Sequence, residues 1–180
     1  MEKKNGPWTI KKTEKIHEND FFTVYKDDVI QPDGRDGSYG IVDFPPGVGV
    51  LPIDDEDNVY LVKQFRYAVG RESLEILAGS VEDGEKPIDS AKREAKEEVG
   101  IEAETWTDFG RIDLDTSIVK NVVSFFLAEK LKIGEPNTEG TEEIKTVKMK
   151  LDEAVEKVLD GEITHAISCV LILKAARVKR

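Results

Sequence analysis

Gly79-Ser80-Val81-Glu82-Asp83-Gly84-Glu85-Lys86-Pro87-Ile88-Asp89-Ser90-Ala91-Lys92-Arg93-Glu94-Ala95-Lys96-Glu97-Glu98-Val99-Gly100-Ile101 is the stretch on which the reading of this chain turns. Pro87 suits the first turn of a helix and Gly100 the position just past its end, so a helix is predicted over residues 85–99. At 100° per residue, Ile88, Ala91, Ala95 and Val99 form one apolar stripe that packs on a sheet. Glu94, Glu97 and Glu98 gather on a flank roughly 110° from that stripe, with Lys92 and Lys96 on the opposite flank. A helix with charges chosen only for solubility would place Glu four residues before Lys. Here Glu94 and Glu98 are a like-charge pair, and of the three carboxylates only Glu97 has a basic partner at this spacing, Arg93. Three carboxylates without further basic partners make a place that a divalent cation would relieve. A hard ion such as Mg²⁺ takes carboxylate, carbonyl and water oxygens and bridges to phosphates. On periodicity alone, the solvated face and the cation site both stand.

Working outward, residues 8–44 read as β. Phe21–Ile30 and Ser38–Phe44 flank the turn-rich 31–37 in a long hairpin, and Pro45-Pro46-Gly47 marks the one subdomain boundary. The expected organisation is a β-rich arm over 1–46 and a main domain over 47–180. Within the latter, Val48–Ile53 and Val59–Phe65 read as strands around an acidic, solvated turn at 54–58. Leu74–Leu77, Phe109–Leu114, Val122–Leu127 and Ile144–Met149 read as further strands. Helices are expected over Leu151–Leu159 and from Thr164, a candidate N-cap, to about Val178. Strands interrupted by a few helices predict an α+β or mixed-sheet sandwich.

The chain has 180 residues, 39% hydrophobic and 35% charged, enough apolar material for a core without disulfides. Its net charge of −11, with scattered Lys and Arg, disfavours nucleic acid and anionic membranes as partners. An anionic small substrate requires cations or local Arg residues that reverse the field inside a cleft. Cys169, the single cysteine, sits in an apolar run and reads as an inert buried thiol. With no apolar leader at residues 1–6 and no run of 18 apolar residues, the expected location is the cytoplasm.

The quoted stretch carries Gly79, five residues, Glu85, seven residues, Arg93-Glu94, apolar Ala95, one residue, Glu97-Glu98, one residue, Gly100 and apolar Ile101. Seven fixed identities and two apolar positions would coincide by chance on the order of 10⁻⁶ per chain. The pattern resembles the signature box of the Nudix hydrolases in full. The resemblance implies a Nudix-type α/β/α sandwich with a mixed β-sheet, and one to three Mg²⁺ or Mn²⁺ ions on this helix. It implies Glu94 and Glu98 as principal metal ligands, Glu97 assisting, and the Ala78 carbonyl completing the set. Arg93 and Glu85 would be an ion pair that orients the helix and its ligands, and Gly79 would let the backbone turn tightly between strand and helix. The metals would neutralise diphosphate charge, polarise phosphorus and lower the pKa of a bound attacking water.

Gln64-Phe65-Arg66-Tyr67 and Leu74-Glu75-Ile76-Leu77-Ala78-Gly79 resemble the ADP-ribose and nucleoside-diphosphate-sugar branch of that family, as does 161–176. There the matching Arg contacts phosphate, which makes Arg66 the phosphate candidate, with a structural salt bridge as its alternative. Glu75 is a substrate contact or a partner of one. The general base of the branch often stands on a loop before the last strand, implying Glu142, with Glu139 and Glu143 as alternates. Two departures bear on the substrate. Asp115-Thr116-Ser117 stands where the branch has a Ser-Pro-Gly-like turn, and Leu77 stands where it has Pro. The implied reaction is hydrolysis of ADP-ribose or a related nucleoside diphosphate sugar to a nucleoside monophosphate and a sugar phosphate. GDP-mannose, UDP-glucose or a dinucleotide are alternative substrates, and a catalytically silent nucleotide-sensing domain is an alternative function. Silent domains tend to lose box residues, and this box is complete. A cap hydrolase would want a basic groove. A β-rich arm bearing Trp8, Phe21, Phe22, Val24 and Tyr25 must bury one face. In the branch the arm crosses to a second subunit, which implies a two-fold symmetric homodimer with the arm helping to hold the nucleobase.

Overall fold

Val48, Val50 and Leu51 are all buried, so their strand needs cover on both faces. The computed structural model, which describes residues 2–135 and 144–179, supplies that cover from two directions. The chain divides into two units. Met1–Pro46 with Asp113–Val122 make the first, and Gly47–Ile112 with Val123–Arg180 the second.

In the first unit, β1 (Lys3–Asn5), β2 (Trp8–Glu18), β3 (Thr23–Ile30) and β4 (Asp36–Asp43) form an antiparallel run. The β3–β4 hairpin pairs Thr23 with Asp43 and Ile30 with Asp36. Its start falls later than expected because Asn19 Oδ1 accepts from both Phe21 N and Phe22 N at 2.9 Å, a local turn that keeps those phenylalanines out of the ladder.

The second unit opens with β5 (Gly47–Pro52), β6 (Asn58–Arg66), a 3-10 turn (Tyr67–Val69), β7 (Arg71–Glu75) and β8 (Leu77–Ser80). Next come α1 (Pro87–Val99) and β9 (Ile101–Ile112). After β10 (Val119–Lys120), which joins the first unit's sheet parallel to β4, follow β11 (Val123–Ile133), β12 (Lys145–Lys150), α2 (Leu151–Leu159) and α3 (Ala166–Lys179). One sheet has the order β8-β5-β11-β9, with β5 and β11 parallel and the other pairs antiparallel; a second has the order β12-β6-β7. This mixed pairing is the expected α+β architecture.

The core lies in two clusters that read the strand alternation directly. Val48 and Val50 join Ala91, Ala95 and Val99 of α1, while Leu51 joins Phe125, Leu171, Ile172 and Ala175 on the α3 side. The strand β6 divides the same way, Tyr60 and Val62 to one cluster and Val59 and Leu61 to the other.

Several expected boundaries move. Leu74–Leu77 is not one strand: the chain leaves β7 at Glu75, pairs Val62 there, and re-enters a different sheet at Leu77 opposite Val50. The strand placed at Phe109–Leu114 begins directly after the helix, at Ile101. It stops at Ile112, because 113–122 leaves for the other unit. Thr164 does not cap α3. Its hydroxyl accepts from Arg71 Nη2 at 2.7 Å, and the first helical bond runs from Cys169 N to the His165 carbonyl at 3.0 Å. Among the described residues, no helix is long and apolar enough to cross a membrane.

Candidate active site

Gly100 ends α1 with φ 67°, a left-handed conformation that glycine adopts without steric cost, and its N–H closes on Ala95 and Lys96 carbonyls. With Ala91 and Ala95 fully buried on the sheet, the flank bearing Glu94, Glu97 and Glu98 is fixed in direction.

Gly79 lies inside β8, opposite Val48, and does not have a left-handed φ. The tight turn expected of it is therefore absent. What requires glycine is a close approach: a Cβ there would stand 1.9 Å from Glu94 Oε1 and 2.0 Å from its Cδ. The Glu94 carboxylate is seated against the bare Cα.

Arg93 partners more of the helix carboxylates than Glu97, the one pair that the helical wheel gives. Arg93 Nη1 donates to Glu94 Oε1 at 2.7 Å and to Glu97 Oε2 at 3.2 Å. Its Nε and Nη2 reach the two oxygens of Glu85 at 3.2 Å each, and Nη2 also donates to the Ser80 carbonyl at 3.0 Å. That carbonyl takes a second bond from Ser90 Oγ, fully buried on α1, at 3.0 Å. One guanidinium thus ties the helix, the loop before it and the end of β8 together. The Glu85 pair is the one the resemblance implied, although the helix starts at Pro87 and not at 85; the Ser80 carbonyl lies on β8, where helical periodicity says nothing.

Burial raises the Glu94 carboxyl above its usual range; Arg93 opposes that, while Glu97 and Glu85 add to it. Arg93 holds Glu85 below its usual range. Glu98, four residues beyond Glu94, is half-buried, with its Oε2 shielded from solvent. The donor chemistry suits a hard divalent cation: carboxylate oxygens crowded at one helix edge, with negative charge that Arg93 neutralises in part. Among the described residues, no three His, Cys, Asp or Glu side chains converge on one point; Glu94 and Glu97 are each paired to Arg93.

Arg66, at the end of β6, pairs side-on with Glu75 of β7, Nε to Oε1 at 3.1 Å and Nη2 to Oε2 at 2.6 Å. Glu75 is 2% exposed. Burial pushes its carboxyl up, but Arg66, Ser73 and His165 outweigh that and hold it below the usual range. His165, which the sequence offered as a lone histidine, brings Nδ1 within 3.2 Å of Glu75 Oε2. The other histidine, His17, lies beside Asn19 in the first unit. Cys169 Sγ donates to the Ile163 carbonyl at 3.3 Å, and burial raises its thiol. Glu139, Glu142 and Glu143 lie outside the described residues.

Comparison with known proteins places these residues in a wider setting. The family model of the NUDIX domain matches residues 43–167, and that of the nucleoside diphosphate sugar hydrolase N-terminal domain matches residues 8–42. A Bacillus subtilis (strain 168) ADP-ribose pyrophosphatase is 31% identical, over 93% of this chain and 94% of its own. A Mycobacterium tuberculosis (strain ATCC 25618 / H37Rv) ADP-ribose pyrophosphatase is 32% identical, over 89% of this chain and 79% of its own. Among solved structures, an ADP compounds hydrolase superposes with a TM-score of 0.86, covering 97% of this chain and 95% of that one. At 22% identity, that likeness speaks to the fold.

Proposed function

The chain belongs to the Nudix family, and from that premise we infer that it is a hydrolase acting on the diphosphate bond of ADP-ribose or a related nucleoside diphosphate sugar, releasing a nucleoside monophosphate and a sugar phosphate. The observation that carries the reading is the seat of Glu94 on Gly79. The Glu94 carboxylate lies so close to the Gly79 Cα that any side chain at 79 would displace it, and Arg93 bonds it from the helix. Nudix hydrolases generally use divalent metal ions, and Mg²⁺ or Mn²⁺ suits these oxygen donors. Glu94 and Glu98 would hold the ion, with Glu97 assisting and the Ala78 carbonyl completing the set. A cation held by these residues would supply charge neutralisation at the diphosphate and make phosphorus more open to attack by water.

The remaining work falls to the chain's own side chains. Arg66 binds a phosphate oxygen, and Glu75 fixes its direction through the side-on pair. That same pair is a salt bridge in its own right, so Arg66 serves structure and substrate together. Arg93 and Glu85 hold the helix against the loop that precedes it. The general base that takes the proton from the attacking water is Glu142, with Glu139 and Glu143 as alternates. A screen of nucleoside diphosphate sugars with each cation, with products identified, tests the reading. ADP-ribose is the first candidate because two relatives bear its name. The complete box speaks for turnover over a silent sensing domain.

We also infer a two-fold symmetric homodimer. Phe21 in the first unit and Phe65, Tyr67 and Val69 in the second are exposed, Tyr67 at 94%. In the dimer, the arm of one copy helps to hold the nucleobase bound by its partner. Light scattering at micromolar concentration is expected to give twice the 20.2 kDa chain mass. A single-chain mass in a sample that turns over substrate contradicts the shared pocket. A cytoplasmic location belongs to the same reading.

A further inference from the structure

We propose that His165 is a positioning residue: its Nδ1–H, shared between Glu75 and Ser168, fixes the Glu75 carboxylate in the orientation that aims Arg66 at the substrate diphosphate. The proposal rests on Arg66 being the phosphate contact.

A carboxylate that is 2% exposed needs donors on every side that has lost water. Arg66 supplies two, along the Nε and Nη2 edge of its guanidinium, leaving Nη1 outside that pair. Ser73, on the same strand as Glu75, adds a side-chain bond, but Arg66 lies on a strand end before the 3-10 turn with its side chain 39% exposed, so the pair gains from a partner on a different element. The constraint comes from the opposite side. His165 Nδ1 stands 3.2 Å from Glu75 Oε2 and 2.9 Å from Ser168 Oγ. Ser168 is fully buried, and its Oγ accepts from Ile76 N at 3.0 Å, at the point where the chain passes from β7 to β8. The imidazole is thereby braced against α3 and the strand junction while it faces the carboxylate.

The tautomer follows from the geometry. A lone pair on Nδ1 would face an ionised carboxylate oxygen and be repelled, so Nδ1 carries the proton and Nε2 accepts. Burial lowers the tendency of the ring to charge, Glu75 opposes that, and Arg66 adds to it, so the neutral ring is the working form near pH 7. Neutrality matters, because a second cation at Glu75 would compete with Arg66 for Oε2. No part of this network is used in holding the metal. Its effect is on how the diphosphate is received.

Two amide replacements separate position from bulk. Asn places an N–H close to where Nδ1 donates, and Gln places it nearer to Nε2. With ADP-ribose and Mg²⁺, H165Q is expected to raise KM about 5–20-fold with kcat within about twofold, and H165N to recover most of that loss. Arg66→Ala is run beside them and is expected to raise KM at least as much. If R66A raises KM and H165Q does not, or if H165N is as impaired as H165Q, the inference is overturned while the phosphate role of Arg66 stands. If R66A leaves KM unchanged, that role fails and the inference fails with it. A measurement that leaves His165 in place keeps the proposal open to refutation should its variants fold poorly. The sequence has 2 histidines, so the imidazole ¹⁵N signals are resolved by removing the exposed His17. His165 is expected as the Nδ1–H tautomer, and an Nε2–H tautomer overturns the proposal.

Discussion

Gly79→Ala is expected to cut kcat by about 10²–10³-fold while leaving the fold intact. The added Cβ would fall 1.9 Å from Glu94 Oε1, 2.0 Å from Cδ and 2.6 Å from Cγ, so the whole end of the Glu94 side chain must leave its seat. Moving a flexible side chain costs the fold little. Gly79 sits in an ordinary strand conformation, so alanine adds no backbone strain and removes some freedom from the unfolded chain. The melting temperature should therefore stay within a few degrees of wild type. Activity is what suffers, since a metal ligand displaced by about an ångström loses most of its value. Steady-state kinetics beside a thermal melt checks both halves. A Gly79→Ala variant with wild-type kcat would mean that the seated Glu94 is not the working conformation.

Glu98→Gln is expected to lower turnover about 10³-fold or more, roughly 4 kcal/mol of transition-state stabilisation. The amide keeps the shape and removes the charge that a hard cation needs. It also relieves the i,i+4 repulsion with Glu94, worth a few tenths of a kcal/mol. Without added metal the variant should melt no lower than wild type. Loss of activity with no loss of stability is the pattern of a functional carboxylate. Near wild-type hydrolysis by this variant contradicts the ligand role of Glu98.

The contrast between these two positions shows what the sequence made legible. Helical periodicity placed Glu94, Glu97 and Glu98 on one flank and Ala91, Ala95 and Val99 on the other, because α1 is regular and its ends carry Pro87 and Gly100. The reason for Gly79 was not legible in the same way. A glycine before a helix suggests a turn, and only the packing of β8 against α1 shows that it makes room for a carboxylate. Two of the partners of Arg93, Glu97 from spacing and Glu85 from the family resemblance, were legible, while Glu94 and the Ser80 carbonyl were not. Ser80 ends β8, and the path from there to α1 is one that no periodicity predicts. The stretch 74–77, read as one strand, concealed a change of sheet at Ile76, since a buried strand and a buried crossing look alike in composition. His165 and Glu75 lie far apart in sequence, and their meeting depends on where α3 docks. The transfer of 113–122 to the first unit is long-range in the same sense.

Hydrolysis of ADP-ribose, GDP-mannose and UDP-glucose, followed with Mg²⁺, with Mn²⁺ and in excess chelator, tests the central claim most directly. At least one of these substrates should be split to a nucleoside monophosphate and a sugar phosphate when the cation is present. Turnover should cease in chelator and return when the cation is restored. Undiminished turnover in chelator, or none of the three split with either cation, contradicts the account.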